Sequence, residues 1–129
     1  MKHDPLNDSI TMLRHYESLG KDKCVLKPKS KILVSVLHVF QKEGFISEFE
    51  VEDNSTGGSI MVRLVKHIND CGVIKPRFPV KHKEFIKWEK RYLPSRDFGV
   101  IVVSTAEGVM SHKDAKEKGL GGRLLAYVY

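Results

Sequence analysis

Apolar residues recur at helical spacing in the first third of the chain. Leu6, Ile10 and Leu13 follow a possible N-cap at Asp4, and this pattern predicts a helix that Gly20 ends. A clearer stripe predicts a second helix over residues 29–42: Ile32, Leu33, Val36, Leu37 and Phe40. Both helices are amphipathic, so each is expected to cover one face of a small sheet.

Shorter apolar runs predict the strands of that sheet. Lys23–Lys27 is expected to form a short strand, and Phe45–Val51 and Ser59–Val65 are expected to form a hairpin across a turn-rich connector. Along Phe45–Val51 the residues alternate with period two. The polar segment Lys66–Gly72 then predicts a boundary, which divides the chain into an N-terminal α/β domain, residues 1–66, and a C-terminal β-rich domain, residues 67–129.

The C-terminal half predicts mainly strands. Val73–Val80 is expected to be extended, and its prolines restrict it to a sheet edge. A helix is expected over Lys83–Leu93, and a short helix is expected to begin at Ser111. Val100–Val103 is typical of a strand buried on both faces, and Arg123–Tyr129 is a closing strand. The predicted fold class is α+β: two small α/β domains, with N-terminal helices on a three-stranded sheet and a mainly β C-terminal domain with short helices.

The formal net charge of +6 is concentrated in one segment. Between Lys75 and Arg96 there are eight lysines and arginines and two glutamates, a local balance of +6 that equals the excess of the whole chain. Acidic side chains collect elsewhere, at Glu43, Glu48, Glu50, Glu52 and Asp53. Cations separated from anions in this way favour a surface for a polyanion. The alternative is a well-solvated basic protein without such a partner.

Small polar groups follow the strand that is expected to be buried. Ser104 and Thr105 are expected to bring two hydroxyls and the N–H groups of a short turn to the surface, and Gly108 permits the chain to reverse. Gly121 and Gly122 precede a strand rather than a helix, so they are expected to turn the chain or allow close approach of RNA. Such a surface suits a phosphate backbone better than an apolar substrate.

Two helices offer further candidates for binding an anion. Ser30 and Lys31 lie in the first turn of the second helix, where free N–H groups favour phosphate; simple capping by Ser30 is the alternative. In the helix over Lys83–Leu93, aromatic residues interleave with cations and could stack on unpaired bases. Their helical spacing favours instead that Phe85 and Trp88 pack inward, with the cations outward.

The sequence contains no pattern typical of a catalytic, metal or nucleotide site. Cys24 and Cys71 fit no metal-ligand spacing and are interpreted as reduced packing thiols. The six histidines are interpreted as surface or capping residues: His3, His15, His38, His67, His82 and His112. No apolar stretch approaches the ~20 residues that span a bilayer. We therefore expect a cytoplasmic protein without cofactor, metal or membrane partner.

Several motifs resemble a family of small-subunit ribosomal proteins, the S-eight family. The C-terminal motifs are Ser104–Met110, Ala115 and Gly119–Gly122, followed by a closing strand. The N-terminal motifs are Asp4–Leu6, Pro28 with Ser30–Ile32, and Glu43–Ile46. The resemblance covers nearly the whole chain, and Ile74–Phe78 and Leu93–Gly99 resemble its archaeal and eukaryotic branch. Ala106 and Arg123 stand where many bacterial members have Ser and Glu.

The resemblance implies a structural protein that binds small-subunit rRNA and neighbouring ribosomal proteins. It implies binding to the central domain of the rRNA early in assembly, at a stem with an irregular internal loop. The polar side of the first helix would then approach rRNA, and Phe78 would touch a base. The predicted RNA-binding residues are Arg14, Ser30, Lys31, Arg77, Phe78, Ser104, Thr105, Ala106, Glu107, Gly108, Gly121, Gly122 and Arg123.

Three alternatives remain at this point. The first is a free RNA-binding regulator that represses translation through the same surface. The second is a small enzyme acting on an anionic substrate, which would need a concave pocket with perturbed carboxylates. The third is a protein-interaction module that uses the acidic face from Glu43 to Asp53.

Overall fold

The structure, a computed structural model, describes residues 4–53, 57–95 and 98–129. The helices are α1 (Pro5–Ser18), α2 (Lys31–Lys42), α3 (Phe85–Tyr92) and α4 (His112–Lys118). The strands are β1 (Lys23–Leu26), β2 (Ile46–Glu52), β3 (Ser59–Leu64), β4 (Cys71–Val73), β5 (Pro79–Val80), β6 (Val100–Thr105), β7 (Gly108–Ser111) and β8 (Gly122–Val128). His3, Arg96 and the middle of the predicted connector after Asp53 lie outside the described residues.

The N-terminal sheet is three-stranded and antiparallel, in the order β1-β3-β2. The predicted hairpin is confirmed, with Val51 of β2 opposite Ile60 of β3. The predicted alternation along β2 is wrong, because a register shift lies between Ile46 and Phe49. In a regular strand, side chains three positions apart point to opposite faces of the sheet. Because of the register shift, Ile46 is buried and Phe49 packs against the same core.

The C-terminal sheet is five-stranded, in the order β4-β8-β6-β7, with β5 paired to the start of β8. Of the predicted extended segment Val73–Val80, only Val73 at the end of β4 and the two residues of β5 lie in strands, and Pro76 lies between them. With four helices and two antiparallel sheets among the described residues, the predicted α+β class is confirmed.

Strand β6 is buried on both faces, as its apolar run predicts. Val100 and Val102 join one hydrophobic cluster, together with apolar residues of α1, α2 and the N-terminal sheet. Ile101 and Val103 join a second cluster, which contains Phe85 of α3 and residues of α4 and β8. The first cluster includes side chains from both sides of the predicted boundary after residue 66, and the division into two domains stays a prediction.

The predicted helix caps are confirmed at three helix starts. The Asp4 carboxylate accepts a hydrogen bond from the N–H of Asn7 (3.2 Å), and the Ser30 hydroxyl accepts one from Leu33 (3.2 Å). The Ser111 hydroxyl accepts one from the N–H of Asp114 (3.1 Å). Each bond satisfies an N–H group that the first helical turn leaves without a partner.

The two cysteines are free and buried, which confirms their interpretation as packing thiols. Burial raises the thiol pKa of Cys24 to about 11 and that of Cys71 to about 12. Both thiols therefore stay protonated at neutral pH and act as small apolar side chains.

The interpretation of His112 as a surface or capping residue is wrong, because its side chain is only 1% exposed. Its Nδ1 accepts a hydrogen bond from the N–H of Ile101 (3.0 Å), so its Nε2 carries the proton and donates to Glu89 Oε1 (2.9 Å). Lys116 Nζ donates to the same carboxylate oxygen (2.8 Å). His112 thus connects β6, α3 and α4 in the neutral state.

This arrangement predicts a pH-dependent stability. Burial lowers the pKa of His112 below its ordinary value of 6.5, despite the nearby Glu89 carboxylate. The contribution of the neutral imidazole is therefore complete above about pH 6.5 and is lost as the pH falls towards the lowered pKa. Between about pH 7.5 and 5.5, the free energy of unfolding should fall by roughly 1 kcal/mol more in the wild type than in His112→Gln. Urea unfolding at several pH values measures this difference.

His112 and its partner Glu89 affect stability in different pH ranges. Burial would raise the pKa of Glu89, but Lys116 and His112 lower it overall from 4.5, so its contribution is lost only at lower pH. If the free energy of unfolding of the wild type and of His112→Gln changes equally between pH 7.5 and 5.5, protonation of His112 does not destabilise the fold.

Candidate nucleic-acid interface

One end of the C-terminal sheet brings together most of the predicted RNA-binding residues. In the register of β6 and β8, Thr105 lies opposite Gly122 and Ser104 lies opposite Arg123. Strand β5 places Pro79 opposite Arg123, so the preceding residues Arg77 and Phe78 reach the same end. The turn between β6 and β7 is adjacent, because Thr105 also pairs with Gly108. Residues from three separate parts of the sequence thus form one surface, called here the sheet-end surface.

The hydroxyl-bearing segment is part of a hairpin between β6 and β7. Strand β6 continues through Ser104 and Thr105 because β8 pairs with both, and the turn itself consists of Ala106 and Glu107. Thr105 Oγ1 donates to the Gly108 carbonyl (2.8 Å) and accepts from the Glu107 N–H (3.1 Å). The Thr105 hydroxyl therefore shapes the turn.

Ser104 and the turn residues remain accessible to a partner. Within the described residues, the Ser104 hydroxyl makes no hydrogen bond, and its side chain is half-buried. Ala106, Glu107 and Gly108 are exposed. The segment can therefore offer a hydroxyl, a carboxylate and backbone groups to a polar ligand.

Packing within the protein explains why residues 121 and 122 are glycines. A Cβ on Gly122 would collide with the Ser104 carbonyl oxygen, and a Cβ on Gly121 would collide with the Val80 carbonyl oxygen. Gly122 permits close backbone packing of β8 against β6, and Gly121, which precedes β8, permits close approach to Val80 of β5. Their contact with RNA stays a prediction.

Two exposed arginines, Arg77 and Arg123, lie near the half-buried residue Phe78. Arg123 Nη1 donates to the Arg77 carbonyl oxygen (3.3 Å), and the Phe78 carbonyl accepts from the N–H of Leu124 (3.0 Å). Arg77 and Arg123 are both exposed, and neither forms an ion pair with a described residue. They add two cations to the sheet-end surface.

Arg14 lies away from this surface. Its Nε is 3.0 Å from Asp70 Oδ1, and the hydroxyl of Tyr129 donates to the other Asp70 oxygen (3.3 Å). Tyr129 follows the far end of β8, about 20 Å along the strand from Gly122. A phosphate contact by Arg14 stays a prediction, and it would have to compete with Asp70.

Ser30 and Lys31 begin a helix that lies along the hairpin. Ser30 caps α2, which was the alternative to phosphate binding at this residue. The side chain of Lys31 is exposed. Further along α2, His38 lines a groove together with Glu107 of the turn. His38 is about 12 Å along the helix axis from Ser30. One extended ligand could therefore reach both the N-terminus of α2 and the turn.

The predicted site omits two cations of α3 that the structure places over aromatic rings. The guanidinium carbon of Arg91 lies 5.5 Å from the centroid of the Phe78 ring, and Lys87 Nζ lies 5.1 Å from the ring of Trp88. Phe85 and Trp88 are buried, which confirms the predicted inward packing. The interleaving of aromatic and basic residues was the sequence signal for this helix, but the proximity of Phe78 depends on the tertiary fold.

The described residues also limit other kinds of chemistry. Among them, no group of three or more His, Cys, Asp or Glu side chains could hold a metal ion. No helix in the same part of the chain is both long and apolar enough to cross a membrane. The acidic residues Glu48, Glu50 and Glu52 are exposed on β2, and among the described residues none of them forms an ion pair with Arg77 or Arg123.

The fold and this surface define a class, a small basic α+β protein with cations gathered at one end of a sheet. A comparison with known families then identifies it further. Residues 4–129 match the family described as Ribosomal protein S8, and the chain belongs to this family. The protein is therefore a small-subunit ribosomal protein that binds rRNA, and the resemblance to the S-eight family is confirmed. The family consists of structural ribosomal proteins rather than enzymes.

The packing of Gly122 generates a prediction about the free protein. Gly122→Ala should destabilise the fold by about 1–3 kcal/mol, because its methyl group would displace the Ser104 carbonyl from the β6–β8 ladder. Urea unfolding without RNA measures this loss. Arg123→Ala is the control, since its exposed side chain should change stability by less than about 0.5 kcal/mol. Unchanged stability of Gly122→Ala would mean that the strands tolerate a side chain there.

Proposed function

We propose that this protein binds the central domain of small-subunit rRNA directly, at a stem with an irregular internal loop, early in assembly of the subunit. The sheet-end surface supports this proposal, because it brings together residues from three parts of the sequence. The chain also belongs to a family of rRNA-binding proteins. We also propose, from the resemblance of Ile74–Phe78 and Leu93–Gly99, that the protein belongs to the archaeal and eukaryotic branch of the family, and that it acts in cytoplasmic ribosomes. Neighbouring small-subunit proteins are its further partners.

Recognition at the turn uses shape and hydrogen bonds. The hairpin turn at Ala106 and Glu107 enters the shallow groove of the RNA, where 2′-hydroxyls and base edges are accessible. The Ser104 hydroxyl and the exposed backbone of Gly108 supply donors and acceptors there. A rigid turn loses little conformational freedom on binding, so the two hydrogen bonds of the Thr105 hydroxyl support affinity indirectly.

Affinity comes mainly from cations around the turn. Arg77, Arg123 and Lys31 are exposed and bind phosphates on either side of the groove. Each neutralised phosphate releases counterions, so binding weakens as the salt concentration rises. The N-terminus of α2, with Ser30 as its cap, adds a partial positive charge next to Lys31. We also propose that residues 1–66 and 67–129 are two domains that contribute to one RNA surface.

Thr105 tests the recognition part of this proposal. Thr105→Val should weaken binding to the cognate rRNA stem about tenfold, because loss of the hydroxyl removes the bonds that hold the turn. Filter binding at fixed salt measures the affinity. Thr105→Ser keeps the hydroxyl and should bind within about twofold of the wild type. If Thr105→Val folds normally and binds like the wild type, the turn is not part of the interface.

Lys31 tests the electrostatic part. Lys31→Gln should reduce the slope of log K against log salt concentration by about 1, with little change in preference among RNA sequences. A suitable control is Lys66→Gln, because Lys66 lies near Glu17 on another part of the chain. Identical slopes for Lys31→Gln and the wild type would place Lys31 outside the phosphate contacts.

A further inference from the structure

Aromatic rings from three parts of the chain form a continuous stack beside the sheet-end surface. The rings of Phe78 and Trp88 are stacked at 4.8 Å between centroids and 28° between planes. Trp88 and Tyr92 follow at 6.3 Å and 15°, and Tyr92 and Tyr127 at 5.6 Å and 28°. Trp88 is buried in the C-terminal core, whereas Phe78 and Tyr92 are half-buried. The stack therefore has a fixed base and accessible outer rings.

Arg91 is positioned by this stack rather than by a carboxylate. Its guanidinium carbon lies 5.5 Å from the ring centroid of Phe78, 5.4 Å from that of Trp88 and 5.6 Å from that of Tyr92. The side chain is exposed, and it forms no ion pair with any described residue. Cation–π attraction to several rings restricts the guanidinium while its N–H groups remain available to a ligand.

The surroundings of Arg91 are strongly cationic. Arg77 precedes Phe78 in the chain, Arg123 donates to the Arg77 carbonyl, and Lys87 lies over Trp88. The nearest acidic residue along α3, Glu89, is engaged on another side of the helix by His112 and Lys116. A site with several exposed cations and π surfaces is complementary to a ligand that combines a phosphate with an aromatic ring.

We propose that Arg91 binds an unpaired nucleotide of the rRNA, next to the stem that the hairpin turn contacts. The guanidinium donates to a phosphate oxygen and stacks on the base, while Phe78 and Tyr92 hold the guanidinium in place. This proposal rests on the proposed function and adds a second type of contact to it. A paired stem would use only the charge of Arg91, because its bases are stacked within the duplex.

The single tryptophan of the chain provides a direct reporter, since Trp88 lies under Arg91 and next to Phe78. Purified small-subunit rRNA should quench Trp88 fluorescence, whereas a short, fully paired RNA duplex should quench it much less. Arg91→Lys keeps the charge but loses the planar group, so the salt slope should stay the same. Its affinity for the rRNA should nevertheless fall about tenfold, and most of the quenching should disappear.

Lys90→Gln is the matched control, because Lys90 is the preceding residue of α3 and lines a groove with Glu89 and Lys116. It should retain the quenching and bind the rRNA within about twofold of the wild type. Circular dichroism and thermal unfolding verify that both variants are folded.

Each other outcome would contradict the proposal in a distinct way. If filter binding detects the complex but Trp88 fluorescence is unchanged, or if Arg91→Lys binds like the wild type, the nucleotide contact is wrong and the proposed function stands. Equal quenching by the paired duplex would mean that Arg91 contacts a paired backbone. Absence of rRNA binding by the wild type would overturn both proposals.

Discussion

Burial of β6 on both faces is the constraint on which the rest of the structure depends. Four successive side chains, Val100 to Val103, are almost fully buried, and each contributes roughly 1.5–3 kcal/mol of hydrophobic stabilisation. One face requires α1, α2 and the N-terminal sheet, and the other requires α3 and α4. The strand therefore determines how both halves of the chain pack. Without the first layer Val100 and Val102 would be exposed, and without the second Ile101 and Val103 would be exposed.

The same strand places the candidate interface. At Ser104 the apolar run changes to hydroxyl residues, but pairing with β8 continues to Thr105, so the hairpin turn extends from a rigid sheet. The close approach of β8 that Gly122 permits brings Arg123 beside Arg77 and Phe78. A binding surface built in this way needs little rearrangement to fit a folded RNA. Its cations come from the segment before β5, from β8 and from α3, and the hairpin turn adds the carboxylate of Glu107.

Local patterns in the sequence predicted the helices and strands well, but they did not predict which elements contact each other in the fold. The caps at Asp4, Ser30 and Ser111 and the buried run of β6 follow from short-range rules, and the structure has them. The burial of His112 could not be predicted, because its partners Ile101 and Glu89 come from other elements.

The candidate site shows the same limit. The hydroxyl turn was predictable, but its convergence with the arginines depends on strand register. The glycines were expected to turn the chain or to allow close approach of RNA, while the carbonyl groups that lie against them come from distant strands. The stacking of Arg91 on Phe78 likewise depends on packing between α3 and the loop before β5.

The most direct measurement is ultraviolet crosslinking of the protein to rRNA within purified small subunits, with the crosslinked peptides identified by mass spectrometry. The account predicts crosslinks in the hairpin turn at residues 104–108 and at residues 77–78 and 121–123. Crosslinks confined to the acidic strand β2, with none at the end of the C-terminal sheet, would contradict it.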